Sequence, residues 1–294
     1  MTILARPLHP LFAAELAGLD LHAPADAARI AEVKRLMDIH AVAVVHHDRT
    51  LTDAEHIAFS DRLGPIERRP ILKVSGATDA LRVPHHEIID QSNLDETGAI
   101  YRDDDRRLFF KRANRQWHTD MSFHPVRATY SLLSAHEVPP DGAAPTEFAD
   151  MRAAYDALPA AMKARLDGLV AAHSYWHSRV LGGGPAPTEE ELRSRPPACH
   201  RLVHTHPGSG RKALYLASHI AGIVGMAEAG ARSLLAELTA FATDRRFVYS
   251  HAWRVGDVVI WDNLATMHRA TPFDDCNVRR DMRRTTCREA EVPV

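Results

Sequence analysis

The chain has few cysteines, and their spacing suggests neither a disulfide framework nor a Cys-x-x-Cys motif. Only Cys199, Cys276 and Cys287 occur among 294 residues, and no two of them form a Cys-x-x-Cys pair. A small secreted domain would need more cysteines at regular spacings. We therefore expect reduced cysteines without a catalytic role.

The sequence also lacks an excess of charge of one sign and any long apolar run. Its 36 basic and 38 acidic residues leave a net charge of −2 with neutral histidines, which gives no electrostatic case for binding nucleic acid or an anionic membrane. No stretch of about 18 apolar residues suggests a membrane span, and residues 1–7 lack the apolar core of a signal peptide. We predict a cytoplasmic protein with no nucleic-acid and no membrane partner. Its 45% hydrophobic content supports one large domain over the whole chain.

Histidine, in contrast, is abundant, and one histidine stands two residues before an aspartate. Because the chain has 19 histidines, the presence of a histidine at one position is by itself weak support for a functional role there. In a strand over residues 116–122, however, His118 and Asp120 would point to the same side. His268, far along the chain, can supply a third ligand. Two histidines and one carboxylate can hold one face of a metal ion and leave the opposite positions open, as in non-haem Fe(II) oxygenases.

This pattern has plainer interpretations as well. A His-x-Asp triplet arises by chance in a histidine-rich chain, and a zinc hydrolase can use the same donors. If the segment is buried, an unpaired carboxylate is costly. A metal ion would then satisfy both polar side chains.

Periodicity and turn signals predict a mainly β fold with peripheral helices. Helices are expected at 20–36, 52–63, 150–166 and 226–241, the second of them opened by a capping box from Thr52 to Glu55. Strands are expected at 41–45, 116–122, 129–138, 213–217, 247–251, 257–261 and 281–288, with a further strand from residue 203 and a tight turn at 207–211. Strands separated by turns, with helices grouped between them, favour a β-sandwich or jelly roll over an alternating parallel sheet. Segments near 73–112 and 175–200 are predicted to be lid insertions.

The basic stretch near the C-terminus separates into two faces if it forms a strand. Arg280 and Arg284 would share one face with Met282 and Thr286, with the two arginines about 13 Å apart along the strand. Turned inward, two guanidinium groups can each bind a carboxylate by a two-pronged contact. That arrangement suits a dicarboxylate cosubstrate and an acidic substrate, and an exposed basic patch is the alternative.

Several longer segments, together with these residues, resemble the taurine dioxygenase/2,4-dichlorophenoxyacetate dioxygenase family of Fe(II)- and 2-oxoglutarate-dependent enzymes. The sequence is most similar to the herbicide-degrading aryloxyacetate branch, over nearly the whole chain. The resemblance implies a double-stranded β-helix (jelly roll, cupin-like) with Fe(II) on His118, Asp120 and His268. The segments that carry it are residues 7–14, Trp117-His118-Thr119-Asp120, and residues 146–158, 204–212 and 256–263.

The resemblance also implies residues for the cosubstrate and the substrate. Arg280 would bind the distal carboxylate of 2-oxoglutarate with help from Thr146, although residues 143–145 differ from the Gly-Gly-Asp that precedes this threonine in the family. A substrate-binding role is implied for Arg284, His219, His206 and Lys73. The two histidines can equally be structural, and the lysine can equally be an exposed strand residue.

The implied reaction consumes O2 and 2-oxoglutarate and hydroxylates the carbon between the ether oxygen and the carboxylate of an aryloxyacetate, such as 2,4-dichlorophenoxyacetate. The products are a phenol, glyoxylate, succinate and CO2. The expected partner is thus a small aromatic acid, and the pattern leaves a homo-oligomer open. Two alternatives stand beside this hypothesis: a 2-oxoglutarate-dependent sulfonate dioxygenase with a taurine-like substrate, and a non-catalytic cupin-like sensor of metal or 2-oxoglutarate.

Overall fold

The structure is a computed structural model that describes residues 2–68 and 82–290. Lys73 lies outside the described residues. The α-helices are α1 Ala27–His40, α2 Asp53–Leu63, α3 Arg106–Arg112, α4 Met151–Ala157, α5 Ala160–Leu166, α6 Tyr175–Leu181, α7 Glu189–Ser194 and α8 Glu228–Ala242. The strands are β1 Leu4–Pro7, β2 Ala14–Ala17, β3 Val42–Val45, β4 Ile89–Asp90, β5 Ala128–Glu137, β6 Thr146–Asp150, β7 Val170–His173, β8 Ala198–Arg201, β9 Val203–Thr205, β10 Lys212–Leu214, β11 Ile220–Ile223, β12 Val248–His251, β13 Val258–Asp262, β14 Thr266–Ala270 and β15 Asp281–Arg288.

A seven-stranded sheet forms the base of the fold, with its strands in the order β1-β2-β3-β13-β5-β15-β4. Its neighbouring strands pair antiparallel, except for β2 and β3, which are parallel. A three-stranded sheet with the order β12-β6-β14 lies against it, and a further three-stranded sheet has the order β11-β7-β8. The strands β9 and β10 form a hairpin.

Both faces of the large sheet are covered. On the inner face, Val44 and Trp261 belong to the apolar cluster that also contains Phe148 of β6, and the rings of Phe148 and Trp261 lie 5.6 Å apart. On the outer face, Val45 and Ile260 pack with residues of α1 and α2. Because each face is buried, β3 and β13 carry nearly continuous apolar runs, and removal of this surface from water stabilises the fold by about 25 cal/mol per Å².

The predicted scaffold of β-sheets with peripheral helices is confirmed, as are the strands at 41–45, 129–138, 247–251, 257–261 and 281–288 to within a residue or so at their ends. The capping box is also present. The side chain of Thr52 accepts the N–H of Glu55 at 3.2 Å, and Glu55 accepts the N–H of Thr52 at 2.8 Å.

Two helix predictions were wrong in their bounds, each for a local reason. The first helix begins at Ala27, because Asp26 caps it by accepting the N–H of Arg29 at 2.8 Å. The helix predicted over 150–166 is two helices, because Pro159 disfavours the helical conformation at Leu158, whose ψ is 143°. Asp150 caps the first of these, as expected.

The segments predicted as lids carry short elements of their own. Residues 175–200 contain α6, α7 and most of a strand, and residues 82–112 contain β4 and α3. Within residues 2–68 and 82–290, no helix combines the length and the apolar character that crossing a membrane requires.

We predict that a buried histidine between α2 and the large sheet makes stability depend on pH. Burial and the neighbouring His136 lower the pKa of His56 to about 4, so the folded state holds it neutral below pH 6.5 while the unfolded state takes up a proton. The free energy of unfolding should therefore fall as the pH drops from about 6.5 to about 4, by up to about 1.4 kcal/mol per pH unit from this group.

Denaturant unfolding at pH 7, 6 and 5 measures this slope. The variant His56→Gln keeps a polar side chain beside Ser134 and Thr285, which contact the His56 ring nitrogens at 3.2 and 3.1 Å. It should unfold with a shallower pH dependence. Equal slopes in the variant and the parent protein would contradict the prediction.

Candidate metal centre

A pair of main-chain hydrogen bonds sets two histidines side by side. The N–H of His118 donates to the carbonyl of His268 at 3.0 Å, and the N–H of His268 donates back at 2.8 Å. This isolated antiparallel bridge leaves the two ring centroids 4.2 Å apart. His268 stands on β14, and the rings of Phe148 and Trp261 pack against its imidazole. The pairing of β14 with β6 therefore positions both imidazoles.

The strand predicted over residues 116–122 is wrong. Only His118 forms a bridge, and the chain turns from Asp120 onward, with Met121 in the left-handed region at φ 53°. The hydroxyl of Thr119 anchors this turn by donating to the carbonyl of Leu216 at 2.9 Å. His118 and Asp120 thus converge because the chain turns back after the bridge, and not because they alternate along a strand.

Asp120 is held by polar groups on the inner face of the large sheet. Its N–H donates to Asn263 Oδ1 at 3.2 Å, and the Ser131 hydroxyl donates to its Oδ2 at 2.8 Å. Asn263 also donates to Ser131 Oγ at 2.9 Å and accepts the indole N–H of Trp261 at 3.1 Å. On the other carboxylate oxygen, Arg284 Nη1 lies 2.6 Å from Oδ1. These contacts fix the orientation of the carboxylate.

The possible ligand atoms of His118, Asp120 and His268 all lie within 4.8 Å of one another. His118 Nε2 is 4.0 Å from Asp120 Oδ1, and His268 Nε2 is 3.8 Å from Asp120 Oδ2. The Nδ1–H of His118 donates to the carbonyl of Gln116 at 2.7 Å, which leaves the Nε2 lone pair free to bind a metal.

The electrostatics of the site favour neutral imidazoles beside an ionised carboxylate. Burial lowers the pKa of His118 and places that of His268 well below its ordinary value. Burial alone would raise the pKa of Asp120, but Arg284 and the two histidines outweigh it and lower this pKa to about 2. Metal ligation requires this same protonation state.

Arg280 is buried and has no carboxylate partner among the described residues. Its Nη1 lies 3.4 Å from the carbonyl of Gln91, and its Nε has no hydrogen-bond partner within those residues. Burial lowers the pKa of Arg280 to about 10. A buried cation without a counter-charge is costly, so an anion bound here would stabilise it.

Thr146 lies near the same region. Arg280 lines a cavity together with Ala270 and Thr271, and Thr146 pairs with Ala270 across β6 and β14. The oxygen of Thr146 accepts the indole N–H of Trp253 at 2.9 Å. Its hydroxyl hydrogen is therefore left to donate to another acceptor.

The predicted inward face of the last strand agrees with the structure. Arg284 and Thr286 contact the Asp120 network through Asp120 and Ser131, and Met282 is buried in the cluster between the sheets. Arg283, on the opposite face, pairs with Asp53 of α2 at 2.5 Å. The exposed-patch alternative is therefore wrong for Arg280 and Arg284.

The two histidines implied at the substrate site are separated in the structure. His219 is buried with its ring 6.1 Å from that of His118, and its Nδ1 lies 3.1 Å from Ser122 Oγ. His206 instead has Nε2 2.8 Å from Asp262 Oδ2, and its Nδ1 accepts the N–H of Ser209 at 3.0 Å. Both ring nitrogens of His206 are thus engaged away from the three candidate ligands, and its substrate role stays a prediction.

Arg179 is a residue of this site that the sequence did not single out. It stands on α6, and its guanidinium lies over the ring of Tyr175 at 4.7 Å. Burial lowers its pKa, and the charge of Arg284 lowers it further. The charge of Arg179 also lowers the pKa of His219. The only sequence signal for it was its place in the predicted lid over 175–200.

The arrangement suits a mononuclear metal that keeps part of its coordination sphere open. Two nitrogen ligands and one carboxylate on one side match the donor set of non-haem Fe(II) oxygenases. Zinc accepts the same donors, so the ligands alone do not choose the metal. The buried cation Arg280 and the inward-facing Arg284 add a preference for acidic ligands beside the centre.

Comparison with known proteins identifies the class to which this fold and site belong. The family model described as "Taurine catabolism dioxygenase TauD, TfdA family" matches residues 4–286. The chain belongs to this family of dioxygenases.

Individual relatives match from about four fifths to nearly all of the chain. The chain is 42% identical over 286 residues to the alpha-ketoglutarate-dependent 2,4-dichlorophenoxyacetate dioxygenase of Cupriavidus pinatubonensis, covering 97% of this chain and 98% of that protein. It is 36% identical over 239 residues to the (S)-phenoxypropionate/alpha-ketoglutarate-dioxygenase of Sphingobium herbicidovorans, covering 79% and 77%. The solved structure of AAD-2 in complex with Mn(II) and N-oxalylglycine aligns over 100% of both chains with a TM-score of 0.91 and 41% identity.

We predict that Ser131 contributes to metal affinity by orienting Asp120. The variant Ser131→Ala removes the hydroxyl that donates to Asp120 Oδ2 and should weaken Mn(II) binding by about tenfold or more, because hydrogen bonds to a ligand commonly contribute that much. Anaerobic calorimetric titration with Mn(II) measures the change.

Ser134→Ala is the matched control for this measurement. Ser134 is three residues further along the same strand, but its hydroxyl contacts His56 and His136 on the opposite face. Its Mn(II) affinity should stay within about twofold of the parent value, well below the loss expected at an orienting residue. Equal affinities for the two variants would show that Ser131 does not position Asp120.

Proposed function

We propose that the chain is an Fe(II)- and 2-oxoglutarate-dependent dioxygenase that hydroxylates the ether-linked carbon of an aryloxyacetate such as 2,4-dichlorophenoxyacetate. The observation that carries the proposal is the convergence of His118, Asp120 and His268 next to Arg284, with Arg280 buried and without a carboxylate partner among the described residues. The similarity to dioxygenases of 2,4-dichlorophenoxyacetate over nearly the whole chain supports the substrate class.

His118, Asp120 and His268 would hold the metal through two Nε2 atoms and one carboxylate oxygen. The bound metal, with O2 and 2-oxoglutarate, supplies the oxidising chemistry. The protein keeps both imidazoles neutral by burial and keeps Asp120 ionised through the positive charge of Arg284. The hydrogen bonds from Ser131 and Asn263 hold Asp120 in place before any ligand arrives.

Arg280 would bind the distal carboxylate of 2-oxoglutarate. A carboxylate here would compensate a buried charge that has no carboxylate partner in the part of the chain that the structure describes, and a guanidinium fork binds a carboxylate by two parallel hydrogen bonds. Thr146 can add a third bond through its hydroxyl hydrogen, since its oxygen already accepts from Trp253. The keto acid end of the cosubstrate would bind the metal held by His118, Asp120 and His268.

Arg284 would orient the carboxylate of the substrate. One of its nitrogens contacts Asp120, while its Nε is buried and has no partner among the described residues. The ring of His219 lies 6.1 Å from that of His118 and would add a polar group beside the substrate, while Arg179 would add positive charge. A carboxylate held by Arg284 places the adjacent carbon close to the metal, which is a proximity effect.

The proposed reaction uses both atoms of O2. One oxygen atom of O2 enters succinate as 2-oxoglutarate loses CO2, and the other enters the substrate as a hydroxyl on the carbon between the ether oxygen and the carboxylate. The resulting hemiacetal breaks its bond to the ether oxygen. The hydroxyl proton moves to the phenolate oxygen, and the products are a phenol and glyoxylate.

The proposal extends to the architecture. We infer that the large sheet and the β12-β6-β14 sheet form the two halves of a double-stranded β-helix in a single domain over residues 1–294. Residues 82–112 and 175–200 would serve as its lids, and residues 73–81 of the first predicted lid lie outside the described residues. The protein would work in the cytoplasm on a small aromatic acid, without a nucleic-acid or membrane partner. Assembly into a homo-oligomer is compatible with this function and is not required by it.

We predict that the purified protein releases succinate and a phenol together. The assay contains Fe(II), 2-oxoglutarate, ascorbate, O2 and 2,4-dichlorophenoxyacetate, and both products are quantified by chromatography. The variant His118→Ala should lose both products, because it removes one metal ligand.

Each other outcome of this assay points elsewhere. Succinate without phenol would keep the oxygenase class and reject the aryloxyacetate, which directs the search to taurine-like sulfonates. Neither product, with metal binding confirmed, would contradict the dioxygenase proposal and favour a metal or 2-oxoglutarate sensor. Activity that persists without O2 would favour a zinc hydrolase.

We predict that the two inward arginines serve different ligands. Arg280→Gln should weaken 2-oxoglutarate binding by at least about tenfold, because removing one partner of a buried charged contact is costly, and should leave 2,4-dichlorophenoxyacetate binding little changed. Arg284→Gln should show the reverse pattern. Calorimetric titration of each ligand into Mn(II)-loaded protein measures both affinities.

The comparison of the two variants is its own control, since both remove one guanidinium from the same strand region. Equal losses of both ligands in both variants would contradict the separate assignments. A normal 2-oxoglutarate affinity in Arg280→Gln would place the cosubstrate carboxylate elsewhere.

A further inference from the structure

A second group of potential metal ligands lies outside the site described above. Asp20, His22 and His47 have ligand atoms that all lie within 4.8 Å of one another. Asp20 and His22 stand in the loop between β2 and α1, and His47 follows β3 by two residues. The rings of His22 and His47 meet edge to face with their centroids 4.5 Å apart. The group thus joins two loops that are distant in sequence.

The hydrogen bonds around this group leave ligand atoms available. His22 Nδ1 lies 3.3 Å from Glu55 Oε2, so a Nδ1–H donated to that carboxylate leaves the Nε2 lone pair free. This is the carboxylate–histidine arrangement that commonly supports a metal ligand. His47 Nε2 is buried and has no hydrogen-bond partner among the described residues. A buried polar atom without a partner is uncommon and points to a ligand or a water.

Asp20 supplies the negative charge of the group, and the nearby cation Arg49 is paired with Glu55. Within residues 2–68 and 82–290, Asp20 forms no ion pair with a lysine or arginine, whereas both oxygens of Glu55 are bound by Arg49 at 3.0 and 2.6 Å. One Asp20 oxygen accepts the N–H of His22 at 2.9 Å, which fixes the carboxylate next to the histidine.

We propose that Asp20, His22 and His47 form a second metal site, which binds one divalent transition-metal ion, with zinc as the best fit. Two imidazole nitrogens and one carboxylate match the zinc donor set, with a fourth position left for water. Glu55 orients His22. A cleft lined by Leu21, Pro24, Ala54 and Phe59 reaches His22 and Glu55. The bound ion connects the loop before α1 to the loop after β3.

Zinc titration in a background without the first centre tests this site. The untagged double variant His118→Ala/His268→Ala is stripped of metal, checked for folding by circular dichroism and titrated with ZnCl2. We expect one zinc per chain. Adding His22→Ala or His47→Ala should weaken the affinity at least about tenfold, and Glu55→Gln, which preserves the capping box, should weaken it by about 10- to 100-fold.

The control is His86→Ala, which removes an exposed histidine and should leave the zinc affinity unchanged. If the double variant does not fold, the same count is made in the otherwise unaltered chain, where His22→Ala should lower the bound zinc from two ions to one. No stoichiometric zinc in the folded double variant, or a zinc affinity that neither His22→Ala nor His47→Ala changes, would overturn the proposal. His22→Ala should keep the dioxygenase activity, which separates this test from that of the proposed function.

Discussion

The exchange of two main-chain hydrogen bonds between His118 and His268 is the constraint on which the centre depends. It ties the segment before the turn to β14, and β14 is itself paired with β6 over five residues from Thr146 to Asp150. Because the backbone fixes both Cα positions, the imidazoles need little further ordering to meet at one point. The third ligand arrives through the turn at Asp120, which the polar groups of the large sheet hold in place.

The distribution of buried charge follows from this arrangement. Asp120 is buried but has Arg284 at 2.6 Å, so its ionised form is retained. Arg280 is buried without such a partner among the described residues. Its positive charge is therefore uncompensated there, and an acidic ligand could neutralise it. The candidate centre therefore combines a carboxylate that has a charged partner with a buried cation that has none among the described residues.

The sequence predicted much of the scaffold because local rules decided it. Strands buried on both faces read as apolar runs, as in β3 and β13, and the Thr52 capping box is a short-range signal. The errors arose where a neighbour in space or a single residue overrode the pattern. Asp26 set the start of α1, and Pro159 divided the helix predicted over 150–166. Arg179 and Ser131 were not predicted as site residues, because no local sequence pattern identifies a residue that approaches the site only in the folded protein.

The sequence by itself determined the candidate donor set of the centre, the inward face of the last strand that carries Arg284, and the family. These depend on residue types and on the two-residue period of a strand, which are properties of the chain. Only the tertiary structure decided that His118 and Asp120 converge through a turn and that His206 is engaged by Asp262. It also showed Arg284 against Asp120 and gathered Asp20, His22 and His47 into one group. The reason is that contacts between residues far apart in sequence are set by how the sheets pack, which no local pattern encodes.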